Sequence, residues 1–254
     1  MREAAREAGR IAMRYFGENP QVWLKQGASP VSEADYAADK FLRQTLLGVR
    51  PAYGWLSEET EESTVRSAGP RSFIVDPIDG TRGFLAGDKR WCVSAALVEG
   101  GKTLAGVLEC PATGETFEAV RGCGAWLNGT RIKVLQNPIA PFSLGGPKAM
   151  VNLLPPHLLQ QTRAVAHVPS LAYRLALVAI GKLNATFVKP DAQDWDIAAA
   201  MLILEEAGGA LLGADGMPPM LGEESARHNA LAAGSGTLLD ALVKALGEYQ
   251  GSRN

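Results

Sequence analysis

Two carboxylates three residues apart could hold a metal ion in residues 76–81, which read Asp-Pro-Ile-Asp-Gly-Thr. The apolar run 72–75 predicts a strand that enters the core and ends within this motif. Buried carboxylates at a strand end repel each other, and each raises the pKa of the other unless a cation neutralises both. Since all potential ligands are oxygens, Mg²⁺, Mn²⁺ or Ca²⁺ would suit the site.

The same motif could also bind an anion. If a helical turn begins at Gly80, its free N–H groups point back towards the carboxylates and favour negative charge there. A metal site beside an anion site is typical of enzymes that act on phosphate esters. A tight turn with solvated carboxylates is the alternative explanation of the motif taken by itself.

Further acidic groups occur in two other stretches. Residues 193–200 open a predicted helix, in which Asp194 can serve as the cap and Asp196 lies in the first turn. Ordinary capping, worth about 0.3–1 kcal/mol, explains both residues; the alternative is that Asp196 adds a third carboxylate to the metal site. Glu58 and Glu59 similarly form either a solvated acidic loop or part of that site.

The elements that must position these groups differ between the two halves of the chain. In residues 1–137, an amphipathic helix ending near Gly17 and a second helix capped by Ser32 precede short strand-like runs with Gly and Pro turns, which predicts an antiparallel meander. In residues 138–254, helices and strands alternate, which predicts an α/β half. The alternating segments are 153–161, 164–167, 171–180, 185–188, 198–207 and 210–212, followed by a strand at 229–233 and a helix at 237–246.

Composition excludes several classes of function. The 254 residues are 46% apolar and 20% charged, with a net charge of −2, so binding of nucleic acid through its phosphates has no electrostatic support. No apolar run approaches the roughly 20 residues of a membrane helix, and the charged first residues do not form a signal peptide. Cys92, Cys110 and Cys123 have no paired spacing and are predicted to be reduced core residues. We therefore expect a cytoplasmic protein without nucleic-acid or membrane partners.

Four motifs, taken in order, resemble the inositol monophosphatase superfamily of metal-dependent, lithium-sensitive phosphatases. They are residues 30–35 (Pro-Val-Ser-Glu-Ala-Asp), 57–60 (Ser-Glu-Glu-Thr), 76–81 and 195–200 (Trp-Asp-Ile-Ala-Ala-Ala). The resemblance spans nearly the whole chain. It implies an α/β fold, α+β in the first half, built as a layered αβαβα sandwich with an antiparallel sheet first and a mixed sheet second. It also implies a homodimer.

The resemblance assigns the metal ligands by motif. It implies two or three Mg²⁺ ions, with Mn²⁺ as a possible substitute, held by Glu58, Asp76, Asp79, Asp196 and the main-chain carbonyl of Ile78. Asp76 would bridge two ions, and a looser third ion would use Glu58 and mostly water.

The resemblance assigns the catalytic groups in the same way. Asp35 and Thr81 would orient the attacking water, with Glu58 taking part through its ion, while the N–H groups of Gly80 and Thr81 would bind the phosphate. His157, His167 and His228 lie in none of the motifs and are predicted to be structural or on the surface. Since no residue is placed as a covalent nucleophile, we expect direct attack by water.

The substrate remains open between branches of the superfamily. Ser57 and Arg82 resemble the bisphosphate nucleotidase and histidinol-phosphate branches, whereas Asp191 could bind ring hydroxyls as an inositol-specific carboxylate does. Lys189 could instead meet a second phosphate, with Arg82 helping. The helix that begins near residue 170 would add two further substrate contacts, Ser170 and Arg174.

An inositol monophosphate is the first expectation for the substrate. The 3′(2′),5′-bisphosphate nucleotide 3′-phosphoadenosine 5′-phosphate comes second and histidinol phosphate third. A catalytically inactive regulatory or binding module on the same scaffold is the hypothesis from a different class. Against it, every expected metal-ligand position that depends on a side chain keeps an acidic residue.

Overall fold

The structure, a computed structural model, describes residues 1–25, 29–59, 70–163, 165–222 and 227–251, with the side chains of 249–251 excepted. In chain order, the elements are α1 (Arg2–Met13), β1 (Val22–Leu24), β2 (Pro30–Ser32), α2 (Glu33–Val49), β3 (Gly54–Ser57), β4 (Arg71–Asp79), α3 (Thr81–Leu85), β5 (Cys92–Glu99), β6 (Lys102–Cys110), β7 (Glu115–Val120), β8 (Gly124–Leu127), β9 (Thr130–Arg131), β10 (Phe142–Gly145), α4 (Lys148–Val151), α5 (Pro156–Leu159), β11 (Thr162–Arg163), α6 (Leu171–Ala179), β12 (Ala185–Val188), β13 (Ala192–Gln193), α7 (Asp194–Glu206), β14 (Ala210–Leu212), β15 (Arg227–His228), β16 (Leu231–Gly234) and α8 (Gly236–Gly251).

The first sheet has seven strands in the order β3-β4-β5-β6-β7-β8-β9. All neighbours are antiparallel except β3 and β4, so the predicted meander is confirmed from β4 onwards. Strand β4 extends past Pro77 and ends at Asp79, within the motif where its end is predicted. Its ladder with β5 is irregular between Asp76 and Asp79, because Pro77 has no N–H to donate.

The second sheet has five strands in the order β11-β10-β12-β16-β14 and is mixed, as predicted. Strands β10, β11 and β12 run parallel, while β16 is antiparallel to both β12 and β14. Strand β10 has no counterpart among the predicted segments, which instead include a strand at 164–167. Residue 164 lies outside the described residues, and residues 165–167 are not in a strand; the nearby strand is β11, at Thr162–Arg163.

The helices form three layers around the two sheets. Helices α1 and α2 cover the outer face of the seven-stranded sheet, where Ala8 and Leu42 share a core with Phe73. Helix α7 is buried along nearly its whole length, which is why its apolar residues occupy every side and not a single stripe. It lies between the sheets with α6, in a core that joins Phe117 of the first sheet to Leu231 of the second. Helix α8 covers the other face of the second sheet. The predicted αβαβα sandwich is confirmed, and the boundary near residue 137 stays a prediction.

Local expectations were met in part. Ser32 precedes α2 and its N–H and hydroxyl both donate to Asp35, which confirms the predicted helix start. At α7 the cap is Gln193, and Asp194 is already the first helical residue, so its predicted capping role is wrong. Cys92 and Cys110 are buried, as predicted, but Cys123 is exposed because it lies in the turn between β7 and β8. Among the described helices, none combines the length and apolarity that crossing a membrane requires.

Candidate active site

Three carboxylates from two distant parts of the chain converge at the end of β4. Asp76 and Asp79 belong to this strand, and Asp196 lies in the first turn of α7. Each offers an oxygen atom, and these three atoms lie within 4.8 Å of one another. Asp76 is 1% exposed and Asp79 5% exposed. The predicted convergence of Asp196 with the strand motif is therefore present in the structure.

Burial and mutual repulsion make these acids unusually reluctant to ionise. Burial, reinforced by the charges of Glu58 and Asp79, raises the pKa of Asp76 well above its usual range. Burial raises the pKa of Asp79 to about 6, and burial with the Asp79 charge raises that of Asp196. Closely spaced buried carboxylates without enough cationic partners need a hard cation with oxygen ligands, and this donor set fits Mg²⁺ or Mn²⁺.

Asp79 is held by the start of α6. The hydroxyl of Ser170 and the N–H of Ala172 donate to Asp79 Oδ2, at 2.5 and 2.6 Å, and the N–H of Leu171 lies 3.3 Å from Oδ1. These hydrogen bonds favour the ionised carboxylate and offset part of the rise in its pKa. Ser170 is predicted from the sequence to be a substrate contact; in the structure it is fully buried and its hydroxyl contacts Asp79.

A lysine that the sequence analysis did not single out joins the acidic loop. Lys25 Nζ lies 3.1 Å from Glu58 Oε1 and 2.7 Å from Glu59 Oε1. The Glu59 side chain is 2% exposed, and burial next to Glu58 raises the pKa of Glu59 to about 7 despite the ammonium group. Glu58 lies close enough to Asp76 for its charge to raise the pKa of Asp76. The only signal in the sequence is a lysine shortly before the motif at residues 30–35.

Thr81 and Asp35 form a buried pair behind the cluster. The Thr81 hydroxyl lies 3.1 Å from Asp35 Oδ1 and 3.1 Å from the Ile78 carbonyl, so it can donate to either. Asp35 is fully buried, and burial raises its pKa although Ser32 donates to it twice. A hydroxyl that alternates between two acceptors can accept from, and thereby orient, a water molecule on its open side.

Gly80 is required by the backbone at the start of α3. Its φ is +98°, and a Cβ there would lie 3.1–3.2 Å from the main chain and Cβ of Ser170. A side chain at this position would separate Asp79 from α6. The glycine thus allows the turn after β4 to lie directly against the helix that holds the carboxylate.

These groups border a cavity of about 810 Å³. Of the predicted site residues, those that line it are Glu58, Asp76, Asp79, Gly80, Thr81, Arg82, Arg174, Lys189, Asp191 and Asp196. The remaining three, Asp35, Ile78 and Ser170, are fully buried, and each contacts a lining residue. His167 also borders the cavity, where it is exposed; the prediction of a surface position holds, but its place beside the site was not foreseen.

Arg174 is an unusual cation in the wall of this cavity. Its Nη2 donates to the Phe187 carbonyl at 3.3 Å, whereas its Nε is buried and has no hydrogen-bond partner. Burial lowers the pKa of the guanidinium, and the charge of Asp79 opposes that effect. Lys189 is near enough to the cluster that its charge opposes the rise in the pKa of Asp196 that burial and the Asp79 charge cause. The lining of the cavity therefore contains the cationic side chains of Arg174 and Lys189 as well as the carboxylates.

Comparison with known proteins gives one consistent result. A family model described as "Inositol monophosphatase family" matches residues 1–250. The chain is 37% identical over 229 residues to the inositol-1-monophosphatase of Rhizobium meliloti, covering 85% of each chain, and 35% identical over 214 residues to the histidinol-phosphatase of Chlorobaculum parvum, covering 82% of each. A solved structure of the Thermotoga maritima IMPase superposes with a TM-score of 0.85 at 27% identity, covering 99% of this chain and 97% of that one.

Proposed function

The chain belongs to the inositol monophosphatase family, a family of metal-dependent phosphomonoester hydrolases, and from this premise we propose that it releases phosphate from a small monoester with the help of Mg²⁺. The observation that carries the proposal is the approach of Asp196 to Asp76 and Asp79 within 4.8 Å, in the wall of a large cavity.

The ligands that we propose for two or three ions are Glu58, Asp76, Asp79, Asp196 and the carbonyl of Ile78, with Mn²⁺ able to replace Mg²⁺. Bound ions would neutralise charge on the phosphoryl oxygens and make water more acidic. The raised pKa values of Asp76, Asp79 and Asp196 support this assignment, because each acid gains from a neighbouring cation.

We assign the remaining steps to the chain's own groups. The N–H groups of Gly80 and Thr81 bind the phosphoryl oxygens, and the Thr81 hydroxyl, held by Asp35, orients a water for direct attack. The Thr81–Asp35 contact of 3.1 Å supports this role. Glu58 acts through the metal site, and Lys25 balances the charge that Glu58 and Glu59 bring together.

The first substrate that we propose is an inositol monophosphate. The relative from Rhizobium meliloti carries that name, and Asp191 supplies a carboxylate in the cavity wall for ring hydroxyls.

A specific observation favours a second candidate, a 3′(2′),5′-bisphosphate nucleotide. Arg174 has a buried Nε without a partner, and Lys189 borders the same cavity. A phosphate on the leaving group would pair with the guanidinium and recover part of its desolvation cost. Histidinol phosphate is the third candidate, supported by the name of the Chlorobaculum relative. Arg82, which also borders the cavity, would help bind whichever substrate is taken.

The test is a parallel phosphate-release assay on inositol 1-phosphate, 3′-phosphoadenosine 5′-phosphate, histidinol phosphate and p-nitrophenyl phosphate, each with Mg²⁺ and with EDTA. We expect turnover that depends on Mg²⁺ and is lost on chelation. Turnover that survives exhaustive chelation would reject the metal-dependent mechanism. Turnover that never appears with Mg²⁺ or Mn²⁺ would reject the proposal and favour an inactive binding module.

An Arg174→Met variant separates the first two substrates. If the leaving group carries a second phosphate, the ratio of kcat/KM for the bisphosphate to kcat/KM for p-nitrophenyl phosphate should fall at least tenfold. A parallel loss on both substrates would show that Arg174 acts on the phosphoryl group that is cleaved. A homodimer and a cytoplasmic location stay predictions from the family and the composition.

A further inference from the structure

We propose that His228 and Asp194, which lie outside the predicted site, are positioning residues that fix the third carboxylate of the cluster and the neighbouring cavity wall. The inference rests on the proposed function, because it takes Asp196 to be a metal ligand. Neither residue was given this role by the sequence analysis, which placed Asp194 as a helix cap and His228 among structural or surface histidines.

The main chain of His228 holds the first residues of the segment 191–194, which leads from the cavity wall into α7. Strand β15 pairs antiparallel with β13, with Ala192 opposite His228. Just before this ladder, the N–H of Asp191 donates to the His228 carbonyl at 2.9 Å. This hydrogen bond fixes Asp191 in its positive-φ conformation at the cavity wall.

The side chain of His228 holds Asp194, the last residue of this segment. Its Nε2 lies 2.8 Å from Asp194 Oδ1, while Asp194 Oδ2 accepts from the N–H of Gly222 at 2.8 Å. The Asp194 side chain is fully buried and that of His228 is 8% exposed. Both oxygens of a buried carboxylate are thus satisfied, and loss of the histidine would leave one of them without this partner, which is costly in a buried site.

These two contacts of His228 lie on either side of the junction between the cavity wall and helix α7. Asp194 is the first residue of α7, and Asp196 accepts a hydrogen bond from the N–H of Gln193 at 2.7 Å. Because a helical turn is rigid, a shift of Asp194 moves Asp196 relative to Asp76 and Asp79, which belong to a different element. His228 therefore sets the separation between carboxylates that come from β4 and from α7.

The structure offers a matched pair of substitutions. In His228→Gln, the amide nitrogen can reach roughly the position of Nε2 and donate to Asp194. In His228→Asn, the side chain is one methylene shorter and cannot reach it. Both variants keep a polar residue at a position where the side chain is largely buried, so they differ mainly in this one hydrogen bond.

The measurement is the dissociation constant of Mn²⁺, obtained by calorimetric titration at a temperature where circular dichroism shows each variant folded. We expect His228→Asn to weaken binding about 10–100-fold, as is usual when a group that supports a metal ligand is lost. His228→Gln should stay within about threefold of the unmodified protein, a change clearly smaller than that range. The KM for the best substrate should rise in the same order, because Asp191 lies on the same segment.

The outcomes separate the possible failures. If His228→Asn unfolds at a lower temperature but binds Mn²⁺ as the unmodified protein does, the pair is merely structural and the inference is overturned. Equal weakening in both variants would also overturn it, since the hydrogen bond would then be irrelevant. If the unmodified protein binds no divalent ion, the proposed function itself fails.

Discussion

Replacement of Asp79 by Asn should stabilise the protein in the absence of metal while abolishing its use of metal. Burial raises the pKa of Asp79 from 3.8 to about 6, so the folded protein holds this proton more tightly than the unfolded chain does. The contribution of Asp79 to the free energy of unfolding is therefore greatest below pH 3.8 and is lost as the pH rises to about 6. The full loss corresponds to about 3 kcal/mol, and about half of it is already present at pH 5.

Asparagine resembles the protonated acid and carries no charge at any pH, so it is free of the cost of burying a charged carboxylate. Its amide oxygen can take the place of Oδ2 and accept from Ser170 and Ala172, whereas its NH₂ group cannot accept from the N–H of Leu171. The lost hydrogen bond, at 3.3 Å, costs about 1 kcal/mol. In EDTA, Asp79→Asn should thus be more stable by about 2 kcal/mol at pH 8 and by less than about 1 kcal/mol at pH 5.

The assay is urea unfolding in EDTA at both pH values, followed by titration with Mg²⁺ and measurement of turnover. Asp240→Asn, on the exposed side of α8, is the matched control and should show no such difference between the two pH values. We expect Mg²⁺ to stabilise the unmodified protein but not Asp79→Asn, whose turnover should fall by orders of magnitude. If Asp79→Asn is less stable by the same amount at both pH values, the Asp79 carboxylate is not destabilised by burial and the argument for a cation at this site loses its basis.

Three further predictions concern the neighbours of the site. Lys25→Gln removes a positive charge that contacts Glu58 and should tighten Mg²⁺ binding severalfold in a calorimetric titration; weaker binding would show instead that Lys25 holds Glu58 in place. Gly106→Ala should lower the free energy of unfolding in urea by about 1–3 kcal/mol, because its Cβ would lie 2.9 Å from the Ala199 carbonyl of α7. The control Gly48→Ala, on the open side of α2, should be neutral or stabilising. No loss of stability in Gly106→Ala would mean that α7 can move away from the sheet. Lithium should inhibit turnover because a small cation can occupy a weak metal position, and unchanged turnover in a large excess of lithium would count against the metal mechanism.

Much of the candidate site could be predicted from local sequence. Residues 76–81 place two carboxylates, a proline and a glycine at a strand end, and the structure agrees with that local pattern: β4 ends at Asp79 and a helical turn begins after Gly80. The start of α2 was equally predictable, because Ser32 and Asp35 stand at the spacing of reciprocal capping. The order of the motifs also predicted that Asp196 joins the cluster.

Expectations failed where short segments carry weak patterns. Strand β10 has four residues and β11 only two, too few for a period to be seen, and both owe their place to parallel pairing with distant strands. Asp194 looked like a cap because caps are recognised by residue type. In the folded protein Gln193 takes that position, and a histidine 34 residues away binds Asp194 instead.

The sequence by itself determined the family, through four motifs that each consist of residue types at short spacing. The resemblance to the family in turn implied the layered fold and the acidic residues proposed for the site. Only the tertiary structure decided which groups hold those acids: Ser170 on Asp79 across 91 residues and Lys25 on Glu58 across 33. It also decided that the guanidinium of Arg174 is buried in the cavity wall. The physical reason is that such partners are chosen when whole layers pack. Burial makes an unpaired charge costly, so each buried acid requires a hydrogen-bond donor or a cation close to it in space. That partner can come from any distance along the chain.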